Sequence, residues 1–171
     1  MKIYEALNSA IPKNQWSKIE MQGGAVYSFP LNEDNVAHTE FMPLKNPTQY
    51  FSAMKMAGLL NDSDTITEDL KGKHPDLANL SPIVNIGFGV NMSPEVQNFD
   101  DRRLAFVMLS TVVEIVLDYH ESNNQSNYVF GTNNDKKIST FERMLRRHTP
   151  DITRVSNLDG SNGYNFLFVR A

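Results

Sequence analysis

The chain contains no cysteine. Disulfides and thiolate metal sites are therefore excluded, which suits an intracellular protein. No apolar run approaches the roughly 20 residues that span a bilayer, so no membrane span is expected. Excess positive charge is also lacking: 16 Lys and Arg stand against 20 Asp and Glu, a formal net charge of −4. That balance gives no global pull toward nucleic acid. There is no Gly-x-Ser-x-Gly elbow and no P-loop. The histidines His38, His74, His120 and His148 have no partner at helical spacing, so no metal pair is expected, and each reads as an exposed or capping residue. The opening "MKIYEALNSAIPKNQW" lacks a long apolar segment and is not read as a signal peptide. The expectation left by these absences is a soluble cytoplasmic domain.

What is present is an ordinary globular mix, 40% hydrophobic and 21% charged over 171 residues. This length fits one domain with its own core. "KIYEALNSA" places Ile3, Tyr4 and Leu7 at helical spacing. In "AVYSFPL", Ala25, Tyr27, Phe29 and Leu31 recur every second residue, the mark of a strand with one apolar face. Asn32–Asn35 is turn chemistry, and Val36–Met42 reads as the returning strand of a hairpin. Asn46 and Pro47 open a helix, as N-cap and first helical residue, with Tyr50, Met54, Ala57 and Leu60 as its stripe. The polar, mostly acidic "NDSDTITEDLKGKHPDLANLSP" reads as a surface excursion with a short helical turn.

"IVNIGFGV" (Ile83–Val90) is apolar on both faces and reads as a central strand. Its glycines, Gly87 and Gly89, predict a bulge or a close backbone approach. "DRRLAFVMLSTVVEIVLDYH" is the strongest helix, with Ala105, Met108, Leu109, Val112, Val116 and Tyr119 on one broad stripe that Phe106, Val113 and Leu117 widen. "YVFGT" is a short strand. "NNDKKISTFERMLRRH" is a capped helix with Ile138, Phe141 and Leu145 inward. "ITRVS" and "YNFLFVR" are closing strands around the turn-rich "NLDGSNG". The pattern predicts an α/β (α+β) domain with a mixed central sheet and helices packed on its faces. One domain over 1–171 is expected, divided as helix and hairpin (1–44), helical and acidic excursion (45–80), and core (81–171).

The stretch from Ile83 to Val169 resembles the core of the GNAT acetyltransferase superfamily. "IVNIGFGV" resembles its bulged strand, "RRLAFVMLSTVVEIVLDY" its long helix, and "NYVFGTNNDKKISTFERMLRRH" its next strand and helix. "AFVMLSTVVEIV" followed by "FERMLRRH", together with the hairpin "YSFPLNEDNVAHTEF", is similar to a group of uncharacterised tailed-phage proteins with a GNAT-like layout. The resemblance implies a GNAT-like β-α-β-α-β-β second half in a viral protein of the infected cell's cytoplasm or of the virion.

The family holds the pyrophosphate of acetyl-CoA with a glycine-rich turn at the start of the long helix, where backbone N–H groups and the helix dipole meet the anion. Here that stretch is "NFDDRRLAF", and no glycine occurs between Val90 and Phe130. Asp100 and Asp101 suit a helix cap and would repel a pyrophosphate. The family's general-acid tyrosine is matched by Phe141, which has no proton to give. The expectation is a non-catalytic GNAT-like protein that works through protein–protein contacts and carries no cofactor and no catalytic residue. Its partner would be a phage or host protein, or a second copy of the chain. The expected partner-binding surface is the basic face Lys136, Lys137, Arg143, Arg146 and Arg147. The alternative is a divergent acetyl-CoA-dependent N-acyltransferase, with Arg102, Arg103, Gly87 and Gly89 at the cofactor. Nucleic acid is a weaker third reading, against the net charge.

Overall fold

The computed structural model describes residues 10–91, 102–124 and 127–170. In chain order it has strands β1 (Ser17–Met21), β2 (Gly24–Pro30) and β3 (Val36–Leu44), then helices α1 (Pro47–Met56), α2 (Ser63–Lys73) and α3 (Pro75–Ala78). There follow β4 (Ile83–Val90), α4 (Arg102–Asn123), β5 (Asn127–Thr132), α5 (Asp135–Leu145), β6 (Ile152–Val155) and β7 (Asn165–Arg170). The strands form a seven-stranded sheet in the order β1-β2-β3-β4-β5-β7-β6. β4 and β5 run parallel, while β1 with β2, β2 with β3, β5 with β7 and β6 with β7 are antiparallel. The expected mixed α/β sheet is thus what the chain adopts. By its contacts the chain divides into two compact units, Met1–Met42 with Ile86–Asn124, and Pro43–Asn85 with Gln125–Ala171.

In the first unit the period-two pattern sets the packing. Ala25, Tyr27 and Phe29 of β2 and Ala37, Thr39 and Phe41 of β3 share the buried face, because Tyr27 pairs with Thr39 and Ala25 with Phe41. The α4 stripe covers its own share of core: Met108, Leu109, Val112, Val113, Ile115, Val116 and Tyr119 are buried. Phe41 stacks on Tyr119 at 4.0 Å between ring centres, and Tyr27 meets Phe41 edge-on at 5.7 Å. The Tyr27 hydroxyl donates to Asp118 Oδ2 at 3.2 Å, and Lys13 pairs with the other oxygen of that carboxylate. Ser110 and Thr111 lie inside this apolar helix because their hydroxyls donate to the carbonyls of Phe106 and Val107, both at 2.7 Å.

The opposite face of this hairpin sheet carries Ile19, Met21, Val36 and Met42, each at least half exposed. Ile19 pairs with Val26, Val26 with Glu40, and Met21 with Gly24, so these residues share one side. β1 is a strand that the periodicity did not foretell. All five of its residues are exposed, so no buried alternation marks it. His38 departs from the expected exposed histidine: it is buried on β3, with Nε2 3.7 Å from the Glu40 carboxylate. β4 continues through Gly87 as one strand. A Cβ added at Gly87 would meet only Glu40 atoms at 3.9 Å, so no close backbone approach explains that glycine. The expected N-terminal helix and the Asp100–Asp101 cap lie outside the described residues.

In the second unit α1 begins as its sequence predicts. Asn46 Oδ1 accepts from the Gln49 N–H at 3.0 Å, and Gln49 Oε1 accepts from the Lys45 N–H at 2.7 Å. The helix stops at Met56, so Ala57 falls outside it and is exposed; Phe51 takes the inward place instead. The excursion is more ordered than expected. It folds as α2 and α3, and Ile66, Leu70 and Leu77 enter the core with Tyr50, Phe51, Ile83, Val129, Phe166 and Phe168. Its acids cap α2 and pair with nearby lysines, and Asp76 reaches Arg170. Asp62 caps α2, Glu68 pairs with Lys71, and Asp69 with Lys73.

Candidate functional site

A cavity of about 450 Å³ opens at the loop between β6 and β7, in the second unit. It is lined by Asp135 from the first turn of α5, by loop residues that include Asp159, Ser161, Asn162 and Tyr164, and by Asn165 at the start of β7. The sequence "NLDGSNG" builds it through left-handed backbone at Asn157, Gly160, Asn162 and Gly163, with φ between 52° and 81°. Asn and Gly tolerate that region best. The loop is pinned to α2. Asp69 Oδ2 accepts from the Asp159 N–H and from Lys73 Nζ, each at 2.8 Å. Gly160 rides so close to α2 that an added Cβ would sit 2.9 Å from the Asp62 carbonyl. The Lys73 ammonium, then the Asp159 N–H, hold the Asp69 carboxyl below the ordinary carboxylate range. Backbone N–H groups of α2, Thr65 first, do the same for Asp62. A loop on so firm a footing presents its polar groups in a fixed array.

That array is suited to hydrogen bonding. Asp135 Oδ1 is already engaged, by Arg154 at 3.2 Å and by the Asn165 amide at 2.9 Å. The lining residues supply carboxylate, amide and hydroxyl groups, and among them stand no imidazole and no amine. Among the described residues no three His, Asp or Glu side chains gather as a metal-binding group. The sequence read this segment as a turn. Its tie to α2 is a contact across about ninety residues of chain, which no local pattern reveals.

The five basic residues expected as a partner surface divide. Lys136, Arg143 and Arg147 are exposed. Lys137 is half-buried, with its ammonium 5.5 Å from the centre of the Phe130 ring, and desolvation pushes its pKa down to about 7. Arg146 lies just past α5 and turns back, donating to Glu142 Oε1 at 2.6 Å and to the Ile152 carbonyl at 3.0 Å. Arg146 is exposed all the same, so four of the five residues stand at the surface and Lys137 is half-buried. Phe141 is fully buried on the inner side of α5 and meets Phe130 edge-on at 5.1 Å. Arg102 and Arg103 are exposed on the first turn of α4, and Gly87 and Gly89 lie in β4. β4 pairs with β5 through Val84–Tyr128 and Asn85–Val129.

A second cleft, of about 350 Å³, lies in the first unit between the Ile11–Trp16 segment and α4. Its walls include Lys13, Trp16, Glu114, Asp118 and Glu121. The Trp16 indole N–H is spent on the Ile11 carbonyl at 2.9 Å, and Asp118 on Lys13 and Tyr27. This cleft reads as the seam by which the segment before β1 lies along α4. No family model, no curated protein and no solved structure matches this chain.

Proposed function

We propose that this chain is a phage-type protein with a GNAT-like layout that acts by contact with another protein, not by acyl transfer. The role is that of a virion or assembly component or of a host-directed binder. The order strand, long helix, strand, helix and two closing strands from Ile83 to Arg170 fits that layout. The observation that carries the non-catalytic reading is Phe141. It matches the family's proton donor, yet its ring is sealed in the core against Phe130. A buried phenyl can neither give a proton nor reach a thiolate leaving group. The contact reading draws on the open face of the first unit, where Ile19, Met21, Val36 and Met42 are at least half exposed. Apolar surface of this kind marks interaction sites, and flexible methionines suit them. The phage association rests on the sequence resemblance.

Titration calorimetry with acetyl-CoA separates this reading from an N-acyltransferase. The expected trace is flat; micromolar binding would overturn the proposal and favour the acyltransferase. Mass spectrometry of complexes purified through the full chain then identifies the partner. A phage structural protein or a host protein at stoichiometric yield is the expected result.

A further inference from the structure

We propose that two copies of this chain associate by antiparallel pairing of the open edge of β1, with Ile19 opposite the partner's Ile19. Among the described residues β1 is the outermost strand on its side of the sheet, and β2 alone pairs with it. The register to β2 fixes which backbone groups face outward. Met21 pairs with Gly24 across the two-residue turn Gln22–Gly23, and pairs that close such turns bond to each other. Alternation then turns the N–H and C=O of Met21, Ile19 and Ser17 toward β2. The same groups of Lys18 and Glu20 point away, to the free edge.

A second strand can bond there only through its own outward residues, its Lys18 and Glu20. Three antiparallel registers meet that condition at the centre of so short a strand. One sets Lys18 against the partner's Lys18, and another sets Glu20 against the partner's Glu20; both oppose like charges. The third sets Lys18 against the partner's Glu20 and Glu20 against the partner's Lys18. It uses both outward residues of each copy and places opposite charges in line. "SKIEM" thus reads as its own complement about Ile19. Lys18 and Glu20 already lie on one face within the strand, 2.9 Å apart, so pairing would extend an existing charge ladder. On the other face the Ile19 side chain, 62% exposed, meets its counterpart across the two-fold axis. Such an interface is isologous and closes at two copies. The lysine on this edge then selects a register where it would otherwise block pairing.

The proposal stands apart from the acyl-CoA question and is tested on the full chain. Sedimentation velocity over a concentration series should show a monomer–dimer equilibrium. Lys18→Glu or Glu20→Lys alone should weaken the dimer by about tenfold, because each reversal acts at two symmetric pairs. The double variant Lys18→Glu with Glu20→Lys should restore it. Directly opposed residues whose backbones do not bond each other lie closest, within disulfide reach. Ile19→Cys should therefore oxidise to a linked dimer, while Met21→Cys, displaced by about four residues from its counterpart, should not. A wild-type monomer at every concentration would overturn the proposal. So would single reversals without effect, or equal cross-linking of both cysteine variants.

Discussion

An ammonium laid against an aromatic ring on a half-buried helix face gives up part of its water, and Lys137 shows the cost. In the unfolded chain its proton is held up to the ordinary value of 10.5, in the folded chain only to about 7. Between those values the unfolded chain binds more protons, so this residue's contribution makes stability rise with pH across that window. Below it, the desolvation cost is carried in full. Lys137→Met, which keeps the stem over Phe130 and removes the charge, should melt about 3 °C higher than the native chain near neutral pH. The two curves should converge above about pH 10; differential scanning calorimetry at both ends of the window checks this. Gly131 is a second residue whose place is decided by what surrounds it. A methyl there would fall on the Tyr50 hydroxyl and 3.1 Å from the Phe166 ring. Gly131→Ala should therefore cost about 1–3 kcal/mol, read as a lower urea midpoint with unchanged slope.

At the scale of elements, α1 depends on the reciprocal contact between Asn46 and Gln49. Asn46→Ala removes an acceptor from the first turn and should cost about 1 kcal/mol in urea unfolding. This helix start, the hairpin β2–β3 and the long stripe of α4 were legible, because Asn-Pro, strict alternation and a broad apolar face are local signals. β1 was not, since a strand with every side chain in solvent leaves no alternation to read. α2 was missed for a different reason. Ser, Asp, Thr and Lys dominate it, and of its four buried residues only Ile66 and Leu70 are apolar. Its cap was nonetheless written in the sequence, as Asp62 followed by Asp64 and Thr65, whose N–H groups it accepts at 3.0 and 3.1 Å. The candidate cavity was visible only as the turn residues of "NLDGSNG". Its anchor, Asp69 on a distant helix, joined it through tertiary contact alone.

For the whole molecule, the absence of cysteine leaves methionine as the bearer of sulfur chemistry. The described methionines separate sharply: Met21, Met42 and Met56 are exposed, whereas Met54, Met108 and Met144 are buried. Dilute hydrogen peroxide followed by peptide mapping should find added oxygen at the first three well before the last three. Met21 and Met42 belong to the open face of the hairpin sheet. A sulfoxide at either position replaces a soft apolar tip with a polar one. Among the described methionines, oxidants would thus reach Met56 and the two on the surface proposed to meet partners well before those of the cores. Oxidative damage would then register as lost adhesion well before it registered as unfolding.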